Sequence, residues 1–138
     1  MGTKSEKFTI SSNGFNDVID ITQKINNQIS LLQVKEGIVS ISILSATASI
    51  MVFKQEPGLV NDFIKIIDNL APLNRLYQHD NIWHDGNAYA HLKSAFLNKT
   101  LTLPVIDNKL ALEDWTQILL IDFDNKPSNI QIAMVAVF

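Results

Sequence analysis

Two long apolar runs close the chain, Trp115 to Asp124 and Ile130 to Phe138, and they constrain the fold more than any other feature. Both are rich in β-branched and large aliphatic residues, both are short enough for strands, and polar turn residues, Asn125 to Asn129, separate them. The expected arrangement is an antiparallel hairpin with a five-residue loop. The second run stays apolar to the terminus, so it belongs in a core or in a subunit contact.

Upstream, strand and helix signals alternate. Lys7 to Ser11 alternates polar and apolar residues and reads as an edge strand, and Phe15 to Ile19 extends it or pairs with it. From Asp20, its candidate N-cap, a helix carries an apolar stripe of Ile21, Ile25, Ile29 and Leu32. Lys35 to Gly37 is expected to end it, with Gly37 in a left-handed conformation. Strands follow at Ile38 to Leu44 and Ala48 to Phe53, joined by Ser45, Ala46 and Thr47. A second helix opens at Glu56 to Gly58 and buries Leu59, Phe63, Ile66, Ile67 and Leu70 before Pro72 breaks it. Leu101 to Val105 is a short strand, at an edge or a bend because of Pro104. The expected class is α+β: a single domain over residues 1–138, mainly antiparallel with about three helices, in which residues 1–6 form a disordered or tag-like leader.

Composition narrows the function. The 138 residues are 46% hydrophobic and 18% charged, which suits a folded globule. A net charge of −3, with no basic run, argues against nucleic-acid binding. There is no cysteine, which excludes disulfides, thiolate metal sites and cysteine nucleophiles. No run is long enough to cross a bilayer and the start lacks an apolar signal core, so the expected setting is the cytoplasm, without membrane contact.

The chemistry gathers between Tyr77 and Phe96. All three histidines of the chain, His79, His84 and His91, lie there, among Asp80, Asp85, Asn87 and Trp83. A helix is expected from Asn87, with Asp85 as N-cap and Asn98 at its end, placing Asn87 and His91 on one face. Imidazoles gathered at a helix start suit a phosphate or carboxylate, or, when neutral, a divalent metal. His84 and His91 would stand roughly 10 Å apart on an unbroken helix, so a shared metal requires His84 on the loop or ligands from another chain. The alternative is three histidines packed separately, and no standard zinc motif is present. The hydroxyls of Ser45 and Thr47 either help bind an anion or are ordinary turn material.

These residues resemble the YjbQ family, small proteins also described as secondary thiamine-phosphate synthases. The matching positions are Tyr77-Gln78-His79, Asp85-Gly86-Asn87, Ala90-His91-Leu92-Lys93, the Leu101 to Val105 strand, Leu110 to Leu112 and Trp115, with Thr47-Ala48 and Glu56 to Leu59 upstream. The resemblance implies a homotrimer with the histidine site near a subunit boundary. It also implies binding of a metal or a small phosphate-bearing ligand, and weak synthesis of thiamine phosphate from a pyrimidine diphosphate and a thiazole phosphate. On it, His79, His84 and His91 are the candidate catalytic and metal-ligating residues, and Ser45, Thr47 and Asn87 the ligand-binding ones. The chain departs from the family pattern at Ser45, where a histidine is usual, at Lys54, where a glutamate is usual, and around Pro127 to Asn129, where arginines are usual. These departures imply a divergent member with a weakly bound divalent metal and a preference for phosphate at the start of the Asn87 helix. They also leave open a non-catalytic trimer that binds a small ligand or acts as a scaffold.

Overall fold

The computed structural model describes residues 2–138, built as two antiparallel sheets and four helices. The first sheet takes β1 (Thr3–Ser12), β8 (Ser128–Val137), β3 (Gly37–Leu44), β5 (Thr100–Ile106) and β6 (Lys109–Leu110), in that spatial order. The second takes β2 (Asp17–Asp20), β7 (Gln117–Asp122) and β4 (Ala48–Phe53). The helices are α1 (Thr22–Leu32), α2 (Pro57–Leu70), α3 (Gln78–Trp83) and α4 (Ala88–Ala95).

The two C-terminal strands do not form a hairpin. β7 lies between β2 and β4, whereas β8 lies between β1 and β3 in the other sheet. Their sequences differ for this reason. Along β7 every residue from Ile118 to Ile121 is fully buried. Ile118 and Leu120 face the core between the sheets, which α1 shares, while Leu119 and Ile121 face a second core against α2 and α4. A strand covered on both faces reads as a continuous apolar run. β8 instead buries alternate residues, Ile130, Ile132, Met134 and Ala136, and leaves Gln131, Val135 and Val137 outside, as a strand covered on one face does.

Several other expectations change. The N-terminal residues are not a loose leader: β1 starts at Thr3 and pairs with β8 from Thr3↔Val137 onward, Met1 alone lying outside the described residues. There are four helices rather than three, because Gln78 to Trp83 forms α3. α1 ends with Gln33, not Gly37, in the left-handed conformation (φ 58°). Gly37 opens β3 and is needed for space, since a Cβ there would stand 2.2 Å from the Val137 carbonyl oxygen. Asp20 does serve the start of α1, its carboxylate accepting the Thr22 amide at 2.9 Å although Ile21 occupies the cap position. Pro104 lies where β5 runs past the two-residue β6, and its carbonyl accepts the Ala111 amide. Its missing N–H points the same way, away from β3, and removes no bond from that ladder. No helix among the described residues is long and apolar enough to cross a membrane.

Of the six connections that carry the chain between the sheets, the three short ones at 13–16, 45–47 and 123–127 meet at one corner. The Phe123 amide bonds to the Thr47 carbonyl at 3.0 Å and the Phe15 amide to the Asp124 carbonyl at 2.7 Å. The fully buried Asp122 carboxylate accepts the Ser12 hydroxyl at 2.6 Å and the Ser128 hydroxyl at 3.4 Å. A buried carboxylate persists only with such partners, so this corner is held by side-chain hydrogen bonds where the sheets part. α3 and α4 sit against it.

Candidate functional site

α4 is fixed from both sides. Tyr89 and Ala90 pack into the core with Leu119, Ile121 and Phe123. On its flank the buried Lys93 pairs with Asp68 of α2, its ammonium lying over the rings of Tyr89 at 5.2 Å and Phe123 at 5.8 Å. The remaining face, with Ala88, His91 and Leu92, looks onto α3 across a cleft of about 550 Å³ that Arg75, Leu76, Tyr77, Gln78 and His79 also line.

The structure unites two of the three histidines. The rings of His79 and His91 lie 4.9 Å apart between centroids, tilted by 58°. His84 stands apart: it ends α3 in a left-handed conformation (φ 59°), is exposed, and is not in the ligand cluster around His79. The expectation of a three-histidine metal set is therefore corrected. What surrounds His79 instead is acid. Its Nε2 is 3.1 Å from Asp85 Oδ1 and 3.1 Å from Asn87 Oδ1, and ligand atoms of His79, Asp80 and Asp85 all fall within 4.8 Å of one another.

Asp85 is not the N-cap of α4. That position belongs to Asn87, whose side chain makes no cap bond, and the first helical amide, Ala88 N–H, is taken at 3.1 Å by Asp80, reaching across from α3. A phosphate seated on this helix start would have to share it with the Asp80 carboxylate, which already takes the Ala88 amide. The charge around the corner is negative: burial, and then the carboxylates of Asp124, Asp122 and Asp80, push the Tyr89 phenol above its ordinary pKa of 10.0. A cation suits this ground better than a bare anion.

Ser45 and Thr47 lie behind the cleft. Ser45 Oγ accepts the Thr47 amide at 3.1 Å and lies 3.4 Å from Thr47 Oγ1, which donates to Asp124 at 3.4 Å, so both hydroxyls are engaged in the turn. Asn87 meets the same acid, donating from Nδ2 to Asp124 Oδ1 at 3.1 Å. Lys54 is remote from the site within the chain. It follows β4 beyond the Phe53↔Gln117 pair, whereas Thr47 precedes the Ala48↔Asp122 pair at the other end, roughly 20 Å away at strand rise. Its charge therefore does not act on the histidines of its own chain.

Asp80, Arg75 and Asp124 are the site residues that sequence reasoning missed. Asp80 was visible beside His79, and Arg75 is the single arginine of the chain. Asp124 carried one signal: with Asp122 it closes the apolar run from Ile118 to Ile121, and an acid so placed marks a carboxylate that is buried and partnered.

A two-sheet antiparallel α+β protein with a His/Asp cleft at the sheet corner is the class that this architecture defines. Residues 6–137 match the family described as UPF0047 protein YjbQ-like, and the chain belongs to that family. A UPF0047 protein of Archaeoglobus fulgidus is 32% identical over 108 residues, 78% of this chain and 82% of the relative. One from Methanocaldococcus jannaschii is 32% identical over 119 residues, 86% and 83% of the two chains. Among solved structures, a YbjQ-like protein of unknown function from Sulfolobus solfataricus superposes with a TM-score of 0.87 at 28% identity, covering 98% of both chains. A hypothetical protein from Aeropyrum pernix shares the fold, with a TM-score of 0.88 at 24% identity over 97% of this chain and 98% of that one.

Proposed function

We propose that this protein, as a homotrimer, holds a divalent cation at the junction of α3 and α4 and binds a small phosphate-bearing ligand beside it. The observation that carries the reading is the convergence of His79, Asp80 and Asp85 within 4.8 Å. One imidazole and two carboxylates suit zinc or manganese, and three protein ligands leave positions open for a ligand. His79 and Asp85 are 33% and 48% exposed, so an ion can enter without rearrangement of the core.

When bound, the cation neutralises charge on phosphate oxygens. The chain supplies the rest. Arg75 offers paired donors to a phosphate in the cleft. His91, on the opposite wall, places an imidazole where a departing oxygen can take a proton. Leu76 and Leu92 line the same cleft and suit an aromatic ring. These features fit the release of diphosphate in weak thiamine-phosphate synthesis. A non-catalytic binder is the second reading, favoured by the commitment of the Ser45 and Thr47 hydroxyls to the turn and to Asp124.

Calorimetric titration with zinc and with manganese tests the site. Binding is expected in the unmodified protein, lost in His79→Ala and retained in His84→Ala. Equal losses in the two variants, or no binding by the unmodified protein at millimolar ion, would sink the proposal. Given binding, cation-dependent release of diphosphate from the paired substrates supports the transferase, and its absence leaves the binder.

A further inference from the structure

Asp124 lies behind the cleft, 8% exposed, on the far side of Asn87 from His79. Its carboxylate accepts three hydrogen bonds: from Asn87 Nδ2 at 3.1 Å, from the Asn125 amide at 2.8 Å and from Thr47 Oγ1 at 3.4 Å. An ionised carboxylate has only acceptors. The donor end of the Asn87 amide must therefore face Asp124, and the acceptor end must face the cleft, where Oδ1 stands 3.1 Å from His79 Nε2.

Asn87 is placed unusually for this duty. An asparagine at an N-cap ordinarily turns its oxygen onto the amides of its own helix. Here it makes no such bond, its amide reaching instead to Asp124 on one side and His79 on the other. The oxygen thus points out of the helix. Asn87 is itself only 8% exposed, so solvent does not compete to reorient it. Donating to a carboxylate also polarises the amide and enriches its oxygen.

The geometry points to Asp124 as a positioning residue: it locks the Asn87 amide with its carbonyl oxygen toward the cleft and so makes Asn87 an oxygen ligand for the cation, beside His79, Asp80 and Asp85. This rests on the cation reading above. Without the buried acid the two ends of the amide are nearly isosteric, and half of its orientations would present an NH₂ group to a cation.

The test is Asp124→Asn, read in two ways. In the metal-free protein, NMR is expected to show the Asn87 side-chain amide protected from exchange and correlated across a hydrogen bond with the Asp124 carboxylate carbon, a protection lost in the variant. By calorimetry the variant is expected to bind zinc ~10- to 100-fold more weakly, the usual effect of removing an outer-shell partner. The reciprocal double variant Asn87→Asp/Asp124→Asn restores a carboxylate–amide pair with an oxygen facing the cleft, and is expected to bind zinc more tightly than either single variant. A merely structural acid would show no such rescue. Absence of the Asn87–Asp124 hydrogen bond in the unmodified protein overturns the proposal. So does an Asp124→Asn protein that folds with an unchanged melting temperature and keeps its zinc affinity. If Asp124→Asn does not fold, the double variant decides by the same comparison with Asn87→Asp. If the unmodified protein binds no cation, the cation reading falls and Asn87's role as a ligand falls with it, while the NMR readout still reports how its amide is oriented.

Discussion

Glu56 shows how one side chain sets an element in place. Its carboxylate accepts the Gly58 amide at 2.8 Å and the Leu59 amide at 2.9 Å, closing the start of α2, with Pro57 at the first position where a missing N–H costs nothing. The Gly58 bond, then the Leu59 bond, and to a smaller degree the nearby Lys54, hold its pKa below the ordinary 4.5. A depressed carboxylate contributes stability above its unfolded pKa and loses it as the pH falls through the folded one. Glu56→Gln is therefore expected to melt earlier than the unmodified protein at neutral pH. The two melting curves should converge once the solution is more acidic than the lowered pKa. A gap that persists unchanged into acid would mean that the charge does not act through the cap. His84 makes the complementary point. Its left-handed backbone ends α3, and it stays outside the ligand cluster of the histidine that precedes it.

At the scale of elements, β8 is an interior strand of the larger sheet, second in its order, and Ile132 is its fully buried midpoint, set between Phe8 of β1 and Ile43 of β3. Both neighbouring ladders close around this residue, leaving little freedom to collapse into a cavity. Ile132→Ala is expected to cost about 2–5 kcal/mol, seen as a lower urea midpoint with an unchanged slope. A loss below about 1 kcal/mol would show a core able to repack there. The helices differ in how readily they declare themselves. α1 and α2 carry apolar stripes and are plain in sequence. α3 is six residues long with no buried side chain, and exists because α4 and the corner give it a surface to lean on.

For the whole molecule, the uncovered apolar surface is the outstanding feature. Leu76 is 93% exposed, Trp115 80% and Leu73 69%, while the outer face of β8 leaves Val135 and Val137 partly open. Apolar side chains of this size left open to water are those that an assembly of copies would cover. Light scattering at micromolar concentration is expected to give three times the chain mass of 15.5 kDa, and Trp115 fluorescence is expected to shift to the red on dilution to monomer. A mass of one chain would end the trimer proposal.

What the sequence determined by itself was local. The stripe of Ile21, Ile25 and Ile29 and the strand at Ile38 to Leu44 were legible because each depends on neighbours a few residues away. The same holds for the concentration of histidines and acids between His79 and His91. The pairing of β7 and β8 in different sheets was decided by tertiary structure, since a run such as Ile118 to Ile121 says that both faces are covered but not by what. So was the membership of the site. Asp124 is far from Asn87 in the chain and Asp80 belongs to another helix. Only the corner where three connections meet brings them within hydrogen-bonding distance, and only the folded chain shows His84 outside the cluster that His79 forms with Asp80 and Asp85.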